Sequence, residues 1–565
     1  MSRVWVFAGL VFVLLGLAAC LGPTDPGAGD GLGGDGGGSE DGVEPTEFRM
    51  PSLVHELLFD NPSDVYRNTA VGAPDAIDRY GNASPSSHAD RFGFPTGGLT
   101  MNGEPLALPV SDRNHPSASG MTISFWARLS NLHATAAEVL LSTVVTNSPT
   151  TDGWQLIYLP SSDSYAFRVG HATENIEVML TVPESVASRW HHVGIVWDRT
   201  VSPPEITFLV NGIYSITETL PDDAYTPTVG DMTIGVNANQ YPFDGELDQL
   251  RIYDSPLPLD DPNAALDVRR LRDEGKRIFY ASAPGGAAAI YASRMDGSDA
   301  ELFSSPSTTT GDAIRDIEVR PDLGYVYWTN IGTDRVERAP ISGGPVETVF
   351  DAAASADYLA RATNALIRGI ALSADGDTLY AADQNYDGIL AVDLTTGTVS
   401  NVYQPQPRQS LTLLDVDLDA ANDRLYFLEE DTAGVNTYAL MTIGTNGSSH
   451  GTLIENSEGS GEPQPAGLAL DVANDRVFFA SRVGKTYAAS NLNAVTPTIT
   501  EVGDTSAIFN IGLSYSPSDD ALYMPRESFS FSAGDLQSFV VETGLITNYA
   551  GVDAGYALDL LVPRE

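Results

Sequence analysis

Glu246 and Asp248 are the nearest approach to a catalytic pair in the sequence. Two residues apart in an extended run, they share a strand face, with side chains about 7 Å from one another. Paired carboxyls about 5–5.5 Å apart serve retaining glycoside hydrolysis and pairs about 6.5–9.5 Å apart serve inverting hydrolysis, so spacing alone admits that chemistry. His191 and His192 are adjacent and point to opposite faces of a strand. They make a poor metal pair, and one is expected in the core and the other exposed. Asp60 and Asp244, in segments rich in turn residues, are hard oxygen donors and candidate ligands for calcium, although Asp and Asn also build ordinary turns. His450 is the one histidine beyond residue 276, which leaves no His-based acid/base pair or His metal cluster there. The single cysteine, Cys20, excludes a disulfide framework and any Cys-based zinc or iron–sulfur site. No nucleophile elbow, phosphate loop or metalloprotease motif occurs. These residues name no catalytic group, and the expectation is a protein that is not an enzyme.

The elements that hold these residues are short strands. The chain has 565 residues, of which 42% are hydrophobic. At roughly 100–200 residues per domain this is enough for two to four domains with cores of their own. From Leu53 onward, apolar and polar residues alternate over runs such as Met121–Leu129, Trp154–Leu159, Val193–Asp198, Ile206–Val210 and Leu247–Tyr253, separated by Gly, Pro, Asn and Asp. Helical periodicity enters only at Ala264–Leu271. Many short strands on frequent turns predict an antiparallel sandwich over 48–276. Trp126 and Trp197, inside apolar strands, are expected in its core.

Residues 277–565 carry an internal repeat, and the repeat decides their fold. A short apolar strand, a turn and a strand with an aromatic pair or its equivalent recur. The first strands begin 53, 46, 52 and 45 residues apart, at positions 317, 370, 416, 468 and 513. That is the spacing of four-stranded propeller blades. Ala557–Leu560 reads as a first strand with no second strand after it, and Ile278–Tyr280 as a second strand with no first strand before it. Joined in one blade they close a ring of six and remove its open edges. The fold class is therefore all-β: an antiparallel sandwich followed by a six-bladed β-propeller. The repeated aromatics read as packing between blades.

Two segments precede the folded part. Arg3 followed by the apolar run Val4–Gly16 has the form of a secretion signal over 1–19 and is short for a membrane span of about 20 apolar residues. Residues 21–47 contain ten Gly and seven Asp or Glu with no Lys or Arg, a composition that stays solvated and extended. With Cys20 they form a tether over 20–47. Across the whole chain, 30 Lys+Arg stand against 75 Asp+Glu, a formal charge of −45, which excludes ordinary nucleic-acid binding. Of the basic residues only Lys276 and Lys485 are lysine. This fits either Arg-favouring codon usage or a surface adapted to salt.

Three resemblances follow from these residues. Leu17-Ala18-Ala19-Cys20 resembles the lipobox of bacterial lipoproteins, which implies that Cys20 is the lipidation site and anchors the chain to a membrane. Several acyl chains, at about 0.8 kcal/mol per buried CH₂, would hold it there stably. Leu21 after the cysteine is not the Asp that retains such proteins in the inner membrane. The implied location is thus the outer membrane, facing the periplasm or the surface. The runs DRYGNA (78–83), MTISFW (121–126), RWHHV (189–193), LVNG (209–212) and FDGELDQLRIY (243–253) resemble the laminin-G-like, concanavalin A-like jelly rolls of bacterial surface proteins. Members bind glycans, proteins or calcium, or act as spacers. Glucanases of that fold carry Glu-x-Asp-x-Glu, whereas position 250 here is Leu. Tyr327-Trp328-Thr329-Asn330 resembles the YWTD signature of six-bladed receptor propellers, from which the other copies depart. Together these imply a non-catalytic envelope binding protein for polysaccharide or an envelope or extracellular protein, with calcium as its one candidate cofactor. An interaction scaffold docking a partner through the propeller, and a calcium-dependent carbohydrate or lactone enzyme, are the alternatives.

Overall fold

The computed structural model describes residues 53–562 apart from loop stretches, the longest being 60–65, 79–85, 130–136, 145–151, 183–188, 260–265, 306–313, 405–410, 505–511 and 527–533. The segments expected to be a signal and a tether, with Cys20, and the calcium candidate Asp60 lie outside the described residues. Among the described residues, no helix is long and apolar enough to cross a membrane.

The all-β expectation holds. In the first module two sheets stack as a sandwich. One runs Tyr214–Thr219, Glu205–Val210, His191–Asp198, Gly120–Leu129, Asp244–Tyr253, Gly98–Asn102, Ser86–His88, with Leu53–Leu57 also paired to Asp244–Tyr253. The other runs Glu174–Thr181, Ser164–His171, Trp154–Leu159, Glu138–Ser142, Met232–Ile234, Leu106–Leu108, Ile77–Asp78. Strand alternation sends Ile123, Phe125 and Ala127 from the first sheet, and Trp154, Leu156 and Tyr158 from the second, into one core. The helix expected at 264–271 is described at Val268–Arg272, where Val268 and Leu271 pack on Val196, Leu209 and Tyr253, on the outer side of the first sheet.

Six four-stranded antiparallel sheets make up the described part of the second module. In the first blade the Leu558–Leu561 strand pairs with Arg277–Ser282, Leu558 facing Tyr280 and Leu561 facing Arg277. The two ends of the repeat thus meet in one sheet and close the ring. The aromatic second strands lie between blades. Trp328 packs with Phe279 and Ile290 of the preceding blade, while its neighbour Tyr327 packs with Ile370 and Leu379 of the following one. Alternation along one strand is what lets a single aromatic pair serve two interfaces.

Candidate functional site

The pair Glu246 and Asp248 does lie on one strand, but both carboxylates hold guanidinium groups. Glu246 is 2.6 Å from Arg128, and Asp248 is 2.6 Å from Arg91, with both members of the second pair about 1% exposed. Arg91 also donates to the carbonyl of Glu274 at 2.9 Å. A bulge follows: pairing shifts between Asp248 and Arg251, with Gln249 at φ 49°. The shift turns Leu250 into the core beside Leu247. Position 250 is therefore on the wrong face to extend a carboxylate row.

The two histidines do point to opposite faces, but both are buried, at 0% and 1% exposure, so neither is the exposed member expected. His191 Nδ1 donates to the Arg189 carbonyl at 2.7 Å, which leaves Nε2 to accept from the Tyr165 hydroxyl. His192 lies on the outer face with Ser124 Oγ at 2.8 Å and Trp126 edge-on at 5.4 Å. Burial, then the charges of Arg272 and Lys276, push its pKa well down. Trp197 is in the sandwich core as expected. Trp126 is equally buried but belongs to this outer layer, because it sits opposite His192 and Asp248 in the sheet. The cover over the layer is the chain leading into the propeller. Lys276 Nζ lies 5.5 Å from the Trp126 ring and donates to Asp519 of the propeller at 2.6 Å.

Asp244 opens its strand opposite Asn102. No group of three or more His, Cys, Asp or Glu side chains able to hold a metal ion occurs among the described residues.

The central channel of the propeller is where a carboxylate-only enzyme would gather its Asp and Glu, though none of its residues was named from the sequence. It forms a cavity of about 540 Å³ lined by Asp316, Glu318, Asp415, Asp417 and Asp559. Each carboxylate reaches from the innermost strand of its blade to a backbone N–H of the next. Asp316 accepts from Ile370 N at 2.7 Å, Glu318 from Leu372 N at 3.3 Å, Asp415 from Leu468 N at 3.3 Å, and Asp559 from Val319 N at 2.7 Å. Two of the receiving strands, Ile367–Leu372 and Pro465–Asp471, carry Gly369 and Gly467 at their third positions. A Cβ on Gly369 would stand 2.7 Å from Val416 N and 2.9 Å from Asp415 Cα, so that position must stay bare. Part of the signal was present in the repeat: Asp-Ile-Glu-Val, Gly-Ile-Ala-Leu, Asp-Val-Asp-Leu and Gly-Leu-Ala-Leu alternate acidic and small inner strands over four successive blades, while Gly-Leu-Ser-Tyr and Ala-Leu-Asp-Leu in the other two break the alternation.

Crowding these acids raises their pKa values. Burial and then Asp417 move Asp415 to about 8, and burial moves Asp417 to about 7. Burial moves Glu318 to about 8, with Asp417 and Asp559 adding to it and Arg320 opposing. Asp316 is pushed up by burial and by Asp415. An acid whose folded pKa is raised stabilises the fold while protonated, and that stability is lost as pH rises from its unfolded value near 4 through its folded value near 8. The buried histidines, whose folded values are lowered, act only below about pH 6.5. Unfolding stability is thus expected to fall by about 2–3 kcal/mol between pH 6.5 and 9, after discounting for partial exposure. Urea titrations across that range check it. The double substitution Glu318→Gln, Asp417→Asn should flatten the profile, and an unchanged slope in the variant would contradict the assignment.

A second cavity, of about 440 Å³, lies between the two modules. Arg189, Trp190 and Tyr214 line it from the sandwich, and Asn474, Arg476 and Tyr515 from the propeller. The fully buried Asp471 carboxylate ties the two walls. It takes Arg189 Nη2 at 3.3 Å, Arg476 Nε at 2.8 Å and Asn474 Nδ2 at 2.9 Å. Tyr515 donates to Asp520 at 2.9 Å, and the Arg128 guanidinium lies 5.6 Å from the Trp190 ring. Sequence reading missed this cleft because its walls are almost 300 residues apart and share no periodic pattern.

No curated protein matches the chain. Among solved structures, TolB from Acinetobacter baumannii aligns with TM-score 0.40 and 12% identity, covering 66% of this chain and 80% of that one. A chain of a nidogen/laminin complex aligns with TM-score 0.39 and 14% identity, covering 52% and 100%. Domain 4 of AbnA, a GH43 extracellular arabinanase from Geobacillus stearothermophilus solved with arabinotriose, aligns with TM-score 0.30 and 18% identity, covering 39% and 98%. Residues 102–261, from the end of the Gly98–Asn102 strand to the chain just before the helix, match the family model of the concanavalin A-like lectin/glucanases superfamily.

Proposed function

We propose that this chain is a lipid-anchored envelope protein that binds carbohydrate without turning it over. The observation that carries the reading is how its polar groups are used. The carboxylates that could do acid/base work are held by guanidinium groups or by backbone N–H groups of the next blade, while a cleft with aromatic, amide and guanidinium side chains stays open. Aromatic rings and planar polar groups in a concave site recognise ligands with apolar faces and hydroxyl edges. The match of residues 102–261 to a superfamily of lectins and glucanases supports the same class of ligand. The lipobox-like Leu17–Cys20 and the Gly/Asp tether support the address.

The test is a glycan and polysaccharide array probed with the full chain in detergent, once with calcium and once with chelator. Binding to carbohydrate is expected; its survival in chelator would mean that calcium takes no part, and its loss would bring calcium and Asp244 into the site. A blank array in both conditions would contradict the reading and favour a protein partner on the propeller.

A further inference from the structure

We infer that the cleft between the two modules is the ligand site, and that it takes a short stretch of neutral glycan rather than an acidic one. The inference rests on the carbohydrate-binding reading above and adds the place and the class of sugar.

The cleft is a built feature. Its 440 Å³ falls in the roughly 300–1,000 Å³ range of small-ligand sites, which gather at junctions between domains. Its walls are fixed in depth: Asp471 and Asn211 are buried, and Asn211 Oδ1 accepts from His192 N at 2.8 Å while its own carbonyl accepts from Arg272 at 2.9 Å. Trp190 forms part of the floor, and the partly exposed Tyr214 stands at the rim. Trp190 is only 4% exposed and lies under the Arg128 guanidinium, so the partly exposed Tyr214 is the ring open to the C–H side of a pyranose or furanose. Asn474 and Arg476 supply planar hydrogen-bonding groups suited to vicinal hydroxyls.

Charge selects the class of sugar. The charged lining residues are Arg189, Arg476 and Asp520, and both guanidinium groups are also paired to the Asp471 carboxylate buried behind them, so with that partner the charges balance at 2 − 2 = 0. Nothing net remains to neutralise a uronate, sulfate or phosphate. The chain as a whole carries −45, which repels polyanions at a distance. A neutral glycan meets neither penalty. Because both modules line the site, a bound glycan should also bridge them.

Calorimetric titration of the full chain with cellotetraose, laminaritetraose, maltotetraose, xylotetraose and mannotetraose, with tetragalacturonate as the acidic comparison, tests this. Asn474→Trp adds bulk within the lining of the cleft, Tyr214→Ala removes its partly exposed ring, and Val435→Trp adds the same bulk at an exposed position outside the lining. The expected result is binding of at least one neutral probe, weakened at least about tenfold by Tyr214→Ala, abolished by Asn474→Trp and unchanged by Val435→Trp, with Val435→Trp melting near the parent and the two cleft variants, which lose contacts to the buried Asp471 and the sandwich core, melting lower yet still folded at the titration temperature. Should a neutral probe bind equally well to the parent and to both cleft variants, the cleft is overturned while carbohydrate binding stands. Preference for tetragalacturonate overturns the neutral class. Binding of no probe here, together with a blank array, overturns both readings at once.

Discussion

A chain shortened to residues 1–556 is expected to lose its folded propeller. The deleted segment contains the innermost strand of the first blade, Leu558–Leu561, which pairs with Arg277–Ser282. With it go Leu558, Leu560, Leu561 and Val562, each less than a tenth exposed. At about 1.5–3 kcal/mol for each buried aliphatic side chain, that is roughly 6–12 kcal/mol. Whole domains are stable by only about 5–15 kcal/mol. The deletion also removes Asp559, whose carboxylate accepts from Val319 N of the next blade at 2.7 Å, and it leaves the Arg277–Ser282 edge open for aggregation. Limited proteolysis and near-ultraviolet dichroism of the shortened chain check the expectation. A protease-resistant product with the parent's melting temperature would contradict ring closure through this strand.

The second large effect is expected at the module junction. Lys276 is fully buried, its ammonium 2.6 Å from Asp519, 3.4 Å from Asp273 and 5.5 Å from the Trp126 ring. Burial opposes ionisation of Asp273, yet Arg272 and Lys276 hold its pKa well below the usual carboxylate range. Lys276→Met removes the cation and strands Asp519, with Arg272 4.0 Å away as partial compensation. Removing one partner of a buried ion pair costs about 3–5 kcal/mol, whereas replacing both with apolar groups is often near neutral. Urea unfolding should therefore show Lys276→Met destabilised by about 3 kcal/mol and the double variant Lys276→Met, Asp519→Leu recovering most of it. Equal losses in the single and double variants would mean that the pair is not what joins the modules.

What was legible in the sequence is what repeats locally. The aromatic second strands and their spacing of about 50 residues announced the blades, because each blade must bury the same two faces. The unpaired half-repeats at Ile278 and Leu558 announced the closure for the same reason. The Gln249 bulge was not legible, since a residue at φ 49° leaves no mark in an alternating pattern. That bulge turns Leu250 into the core. Trp126 was read as sandwich core from its apolar neighbours, yet strand parity put it under the module junction. The junction itself was invisible because its contacts join residues far apart: Arg91 to Asp248, Lys276 to Asp519, Arg189 to Asp471. No local period encodes such pairs. The channel acids were in plain view as alternating acidic and small inner strands, but their meaning needed the ring to be closed first.

The central claim is binding without turnover, and one measurement meets it most directly. The full chain is incubated with each neutral polysaccharide it retains in affinity electrophoresis, and the mixture is assayed over many hours for new reducing ends and for unsaturated products. The expected result is retardation on at least one polysaccharide with no products above the polysaccharide alone. Release of oligosaccharides that follows the amount of protein and disappears with Asp248→Asn or with Asp417→Asn would contradict the account and make the chain an enzyme.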